Sequence, residues 1–308
     1  MAGVAIALIS GEVFARYYLG LGTPPLSVSH PTIEYLFAPN QDVYRFGNHI
    51  VVNAYGMRSE PFTAKKSGHE LRVMVFGDSV MNGGNLTDQK ELATELVRGQ
   101  LRRQGYANAV VGNISAGSWG PGNWLAYARE YGFFDADVVV LVLSSHDYAD
   151  NPLFTPLNPS THPTERPVSA LLEGIQRYLP RYLPRAATAA SAAEADTFPV
   201  PDEQAIQRAL QDLSAFLQLA HQQTPNVLVL QHFEKSEIQK GAAGPGYQQI
   251  KETAAAAGID TVSLEPYLRR SLEAGVNPYR DNIHPNAAGQ KLIAEALLAG
   301  LAEKLPAP

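Results

Sequence analysis

Residues 71–79, Leu71-Arg72-Val73-Met74-Val75-Phe76-Gly77-Asp78-Ser79, run from an apolar strand into a tight polar turn. Five of the six residues before Gly77 are apolar, a pattern too continuous for a strand wetted on one side and suited to one buried on both faces of a parallel sheet. Thr87 and Asp88 are cap-type residues, and residues 91–103 then read as a helix with Leu92, Leu96 and Leu101 on one stripe. The unit repeats as a strand over 107–114, a helix over 123–131 and a strand over 137–143, the last reading Asp-Val-Val-Val-Leu-Val-Leu. Further on, helices are predicted over 203–222 and 247–257 and strands over 226–232 and 259–264. Pro285 opens a closing helix with Leu292, Ile293, Ala296, Leu297 and Leu301 on its apolar face. Strands alternating with helices imply a mostly parallel sheet covered on both sides.

The rest of the chain sets bounds. With 308 residues, 45% of them hydrophobic and 18% charged, it makes one large domain or two modest ones around a real core, which excludes disorder, collagen and a disulfide scaffold. A net charge of −6 gives no electrostatic footprint for a phosphate backbone, so nucleic acid is not an expected partner. The absence of Cys removes thiol catalysis, disulfides and Cys-ligated zinc.

Residues 1–22 form an apolar N-terminal segment. The run from Ala2 to Ser10 is too short to cross a hydrocarbon layer that needs about twenty residues, and neither a preceding Lys or Arg nor a small-x-small cleavage site accompanies it. The expectation is an anchor or signal remnant, hence membrane attachment and a cell-envelope or periplasmic location, with a cytoplasmic location if the segment is complete. The alternative is a helix over 4–19 packed on the body through Ile6, Leu8, Val13 and Phe14. Residues 23–68 read as a lead-in with one hairpin. Residues 69–308 form the main domain, interrupted by a Pro- and Ala-rich insertion over 151–201.

In such sheets ligands bind beyond the carboxyl ends of the strands. Four turns qualify: Gly77-Asp78-Ser79, Ser115-Ala116-Gly117, Ser144-Ser145-His146-Asp147 and, before the last helix, Asp281-Asn282-Ile283-His284. They supply a hydroxyl, candidate bases, carboxylates and small residues with free backbone N–H groups. A serine hydroxyl becomes a useful nucleophile when an imidazole takes its proton, and the imidazole needs a carboxylate on its far nitrogen. Three residues of separation let Asp281 and His284 face each other. A tetrahedral oxyanion then needs fixed donors, which the N–H groups of Ser79 and Gly117 supply. Trp119, Trp124, Tyr127 and Tyr131 are candidates to stack on a sugar ring, against the plainer reading of core aromatics at helical spacing. His232 follows an apolar strand and is a candidate for the same edge, while His221 reads as a C-terminal helix charge. Arg177, Arg181 and Arg185 with Tyr178 and Tyr182 either bind an anionic polymer or solvate the insertion. His and carboxylates never cluster at ligand spacing, so no metal site is expected. Gly77, Gly83 and Gly84 lack the Lys-Ser/Thr ending of a phosphate loop.

These motifs, in this order from Leu71 to about Leu305, resemble the SGNH/GDSL hydrolases. The resemblance implies a flavodoxin-like three-layer α/β/α sandwich without a cofactor, acting as an esterase, lipase, thioesterase, or carbohydrate acyl esterase or acyltransferase. It implies Ser79 as nucleophile and first oxyanion donor, Gly117 as second donor, His284 as base and Asp281 as its orienting partner. Asp78 and Asp147 are expected to support the site. The chain departs from the family's Gly-x-Asn-Asp at residues 144–147, where His146 stands in the place of the Asn amide; a neutral imidazole donating one N–H replaces that oxyanion donor, or the role is lost. Glu12, Arg16, Pro24-Pro25, Pro39-Asn40, Asn53 and Gly56-Met57-Arg58 are similar to the lead-in of membrane-anchored bacterial members linked to envelope or exopolysaccharide modification. The expected function is hydrolysis of O-acyl groups on an envelope or extracellular carbohydrate, or of a small ester. The alternatives are a polysaccharide O-acyltransferase, a soluble lipase or thioesterase, and a catalytically degenerate polysaccharide-binding module.

Overall fold

A computed structural model describes residues 2–179 and 201–305. Its centre is a five-stranded parallel sheet of β5 (Arg72–Gly77), β6 (Val110–Ser115), β7 (Val138–Ser144), β8 (Val227–His232) and β9 (Thr261–Ser263), in the order β6-β5-β7-β8-β9. Counted from β5 this is the 2-1-3-4-5 order of a doubly wound sheet, whose switch point lies between β5 and β7. Strand alternation divides the core. Met74, Phe76, Val139, Leu141 and Leu143 face one layer, with α4 (Pro121–Tyr131), α6 (Glu203–Gln223) and α8 (Gly246–Ala256). Val73, Val75, Val138, Val140 and Val142 face the other, with α3 (Ala93–Arg103), α9 (Glu265–Glu273) and α10 (Ala287–Leu301). The central strands β5, β7 and β8 are largely apolar and buried because both faces are covered, as expected for an α/β/α sandwich.

Pro285 does not open the last helix. It forms an isolated bridge with Tyr279, and Asn286 caps α10 by accepting from Ala288 N–H at 2.9 Å and Gly289 N–H at 3.1 Å. An Asn side chain can accept those orphan donors and a proline ring cannot.

The lead-in contains two hairpins in place of the expected one: β1 (Ser27–His30) with β2 (Glu34–Phe37), and β3 (Gln41–Arg45) with β4 (Asn48–Val52). The second turns on Phe46 and Gly47, both at positive φ, as a two-residue turn matched to strand twist requires. The lead-in is built into the body: Ile33, Tyr35, Leu36 and Met57 join the sheet's core, and buried Arg58 donates to the carbonyls of Asn82, Gly84 and Thr87.

At the N-terminus, α1 (Ala2–Val13) buries none of its side chains. The packing expected through Ile6, Leu8, Val13 and Phe14 does not occur; all four are more than half or about half exposed, at 64, 56, 50 and 54%. Of these, Phe14 borders an apolar groove, and the segment is held by polar contacts of Glu12 with α5 (Ala170–Glu173) and by buried Ala15 and Leu21. Among the described residues no helix is long and apolar enough to cross a membrane. The described part of the insertion is fastened to this segment: Glu173 pairs with buried Arg45 and accepts from Gly22 N–H at 2.6 Å. Arg181, Tyr182, Arg185 and the Ala-rich stretch lie outside the described residues.

Candidate active site

The turn after β5 places Ser79 as the first residue of α2 (Ser79–Asn82). Asp78 caps this short helix, its Oδ1 accepting from Val80 N–H at 2.8 Å. Gly77 is required by close approach: a Cβ there would lie 2.6 Å from Met81 Cγ and 3.1 Å from the Val142 carbonyl oxygen. The strand can therefore turn into α2 hard against β7.

His284 arrives from the far end of the chain. Its Nε2 lies 2.9 Å from Ser79 Oγ and its Nδ1 lies 2.8 Å from Asp281 Oδ2. Asp281 Oδ1 accepts from the N–H groups of Ile283 at 2.9 Å and His284 at 2.7 Å, which fixes the carboxylate against the ring. Burial alone would raise the Asp281 carboxyl; those N–H groups and the His284 ring outweigh it and hold it below the usual carboxylate range. A hydroxyl, an imidazole and a carboxylate thus stand in the order that proton abstraction from serine needs.

Further groups hold the Asp281–His284 loop. His232, buried at the end of β8, donates from Nε2 to the Ile283 carbonyl at 2.9 Å, and burial lowers its pKa to about 4, leaving a neutral ring. Glu234 accepts from Asn282 Nδ2 at 2.8 Å, and Asn282 accepts from Lys235 N–H at 2.7 Å and Ser236 N–H at 3.0 Å. Glu234 and Asn282 were legible by the rule that picked out the other turns, since Glu234 lies two residues beyond β8.

His146 and Asp147 sit on the turn after β7, across the switch point from Asp78. Asp147 braces local backbone, accepting from Ser144 N–H at 2.6 Å. His146 is surrounded by acids: Nδ1 lies 3.1 Å from Glu234 Oε1, and Nε2 lies 3.9 Å from Asp78 Oδ2 and 3.8 Å from Asp147 Oδ1. Burial alone would lower the His146 pKa, but Asp147, Glu234, Asp78 and Asp150 outweigh it and push it up to about 10. Burial raises the Asp78 carboxyl to about 6 despite His146, and raises Asp147 as well. The ring expected to act as a neutral oxyanion donor is therefore committed to carboxylates on both nitrogens. The expectation that no metal-type cluster forms is also corrected: Asp78 is 68 residues from His146, and only the sheet order brings them together.

Trp119 and Trp124 are not substrate-binding side chains. They are 2% and 0% exposed; Trp119 Nε1 donates to the Tyr35 carbonyl at 3.1 Å and Trp124 Nε1 to the Gly77 carbonyl at 2.9 Å. Each fills the core while its indole N–H finds a backbone acceptor, so helical spacing meant core here. Tyr127 is likewise buried.

Two recesses adjoin the site. Gly117 is exposed and lines a cavity of about 150 Å³ of mixed character with Pro24, Pro25, Ile50, Arg58, Asn82 and Arg177. Asp281 and His284 line a wider groove of about 990 Å³ whose other walls include Phe14, Leu19, Phe46, Leu86, Leu171 and Ile175. Asn85, Thr161 and Arg177 belong to both.

A doubly wound sheet carrying a Ser-His-Asp set beyond its strand ends has the arrangement that acyl-ester chemistry can use. The family model for GDSL-like Lipase/Acylhydrolase matches residues 73–297, and the chain belongs to that family of ester hydrolases. No curated protein sequence matches it. Among solved structures it is similar to a catalytic mutant of an acetylxylan esterase from Geobacillus stearothermophilus (13% identity, 77% of this chain and 97% of that one, TM-score 0.49). It is also similar to a lipolytic G-D-S-L protein from Veillonella parvula (13%, 74% and 97%, TM-score 0.45) and a lipase/acylhydrolase from Enterococcus faecalis (12%, 77% and 98%, TM-score 0.47).

Proposed function

We propose that the chain is a serine-dependent acyl-ester hydrolase acting on an O-acylated carbohydrate. The observation that carries this is the Ser79 Oγ–His284 Nε2 distance of 2.9 Å, with Asp281 on the other ring nitrogen. In the reaction His284 takes the Ser79 proton as Oγ bonds the acyl carbon, and the N–H groups of Ser79 and Gly117 receive the oxyanion. His284 then returns the proton to the leaving alcohol as the ester C–O bond breaks. Water repeats the sequence to free the acid, and a sugar hydroxyl in its place makes the same residues an acyltransferase. The recess beside Gly117 offers Arg58, Asn82 and Arg177 among apolar walls, which supports a hydroxylated leaving group on that side.

A lipase-type reading is favoured by one observation, the apolar groove that reaches Asp281 and His284 and suits a long acyl chain. The two readings combine if the ester joins a sugar to a fatty chain. The exposed apolar side chains of α1 support attachment at a membrane surface, where such a substrate would be presented.

A p-nitrophenyl ester series from acetate to decanoate, run with Ser79→Ala in parallel, tests the core of this reading. Turnover by the unaltered protein that the variant lacks is expected. Equal rates for both would sink the catalytic assignment and leave the binding module. A polysaccharide acceptor added to the same assay reports transfer as a newly acylated product.

A further inference from the structure

We propose that the substrate is an acidic carbohydrate ester, its sugar carrying a carboxylate close to the O-acyl group, and that Arg177 and Arg280 bind that carboxylate where the two recesses meet. This substrate class rests on the hydrolase reading above. Arg177 lines both recesses, the one that holds Gly117 and the one that holds His284, so it stands between the proposed second oxyanion donor and the base. Arg280 directly precedes Asp281 in the chain and lines the groove with His284. Its Nη1 extends to the end of α2, 3.5 Å from the Gly83 carbonyl oxygen.

Both guanidinium groups retain unfilled donors. The Arg177 side chain is 13% exposed, and its Nε is buried without a hydrogen-bond partner among the described residues. Its Nη1 lies 3.4 Å from Glu173 Oε1, an oxygen that already accepts from Arg45 Nη2, so one carboxylate serves two guanidinium groups. The contact of Arg280 with Gly83 is longer than an ordinary hydrogen bond. Guanidinium N–H groups withdrawn from water and left unpaired are costly, and an anion satisfies them with charge-assisted bonds.

The charge lining the recesses is of one sign. Among the described residues Arg58 and Arg177 line the smaller recess and no carboxylate does; in the groove Arg177 and Arg280 meet Asp281 alone, which is paired with His284. Arg58 gives its donors to carbonyls and not to a carboxylate. Burial lowers its pKa to about 9; Asp88 opposes that shift and Arg280 adds to it. The cations therefore repel one another around the turn after α2, and an anion bound among them relieves the repulsion. The groove between α4 and α6 is different, since it sets Glu130 and Asp212 with Arg129 and Arg208. With a net charge of −6 on the whole chain, the cationic bias belongs to the site. Asn85, Thr161 and His162 in the smaller recess match the hydroxyls of a sugar, which favours an acidic carbohydrate over the headgroup of an anionic lipid.

The test measures binding to the full-length Ser79→Ala protein by calorimetry. The probes are O-acetylated trigalacturonate, O-acetylated xylotriose as the neutral counterpart, and an anionic lysophospholipid below its micelle concentration. The acidic oligosaccharide is expected to bind at least about tenfold tighter than the neutral one, with an affinity that falls as NaCl rises. Arg177→Gln or Arg280→Gln added to this protein is expected to reduce the acidic-over-neutral ratio by about tenfold, and Arg280→Lys to retain part of it. The comparison of the two oligosaccharides on one protein does not depend on how any arginine variant folds. Absent or equal affinity for the two, a ratio unchanged by both Gln variants, or tighter binding of the lysophospholipid than of the acidic oligosaccharide would each overturn the proposal. Ester turnover enters none of these measurements. Failure of the unaltered protein to cleave p-nitrophenyl acetate would remove the hydrolase reading and leave the binding result, whereas cleavage without acidic preference would remove this substrate class alone.

Discussion

At Ser79 the decisive quantity is a proton's position. In the reading proposed above Ser79 Oγ is the attacking oxygen, so Ser79→Ala is expected to lower turnover of p-nitrophenyl acetate by at least about 10³-fold with unchanged circular dichroism. Asp281→Asn keeps the shape but loses the charge that orients His284, and a fall in kcat of about 10³–10⁴-fold is expected in the same assay. His232 yields a pH prediction. Its folded pKa is near 4 while an unfolded histidine titrates near 6.5. The unfolded chain therefore binds more protons between those values, so the contribution of the neutral ring is complete above about pH 6.5 and lost as pH falls toward 4. Urea unfolding at pH 7 and pH 4.5 is expected to show a loss of order 1–3 kcal/mol that His232→Gln reduces. Ser79, His284 and Asp281 were legible because each borders a strand or helix end whose pattern is plain. Trp119 and Trp124 were misread because a place in the sequence close to Gly117 does not say which way a ring faces: one precedes α4, the other lies in it, and both turn inward.

Elements carry a different set of dependences. Glu12 accepts from the N–H groups of Leu171 at 2.8 Å and Ala170 at 3.0 Å and from Ser169 Oγ at 2.7 Å, and these bonds lower its pKa to about 2. A depressed carboxyl stabilises above its unfolded pKa near 4.5 and releases as pH falls toward 2. Glu12→Gln is expected to raise hydrogen exchange in α1 and α5 at neutral pH, and acid to do the same in the unaltered chain; an unchanged exchange pattern would show that other contacts hold α1. Arg58 ties the lead-in to the loop after α2 through three carbonyls. Arg58→Met strands those acceptors, and a loss of several kcal/mol in chemical denaturation is expected. Neither contact was legible beforehand. Each joins residues far apart in the chain, and a salt-bridging Glu or a buried Arg looks like surface charge until its partners are known.

For the whole molecule, the question is how the body and its N-terminal wall share one groove. Phe14, Leu19 and Leu171 reach the apolar recess that contains His284, so the lead segment contributes to selecting the acyl chain in the reading advanced above. Leu171→Asp is expected to lower kcat/KM for a decanoyl ester about tenfold while leaving the acetyl ester nearly unchanged, consistent with losing one to two kcal/mol of apolar contact. Parallel losses for both esters would place the chain elsewhere.

The sequence by itself determined the layered α/β architecture, because continuous apolar strands alternating with striped helices can be buried in few other ways. It also marked Ser79, His284 and Asp281 as candidates, because each stands near a strand or helix end and Asp281 and His284 are three residues apart. Tertiary structure alone decided that Asp78 meets His146 and Asp147, that the tryptophans face inward and that α1 leaves its apolar side chains exposed. Those outcomes depend on strand order and on packing between distant segments, which no local period encodes.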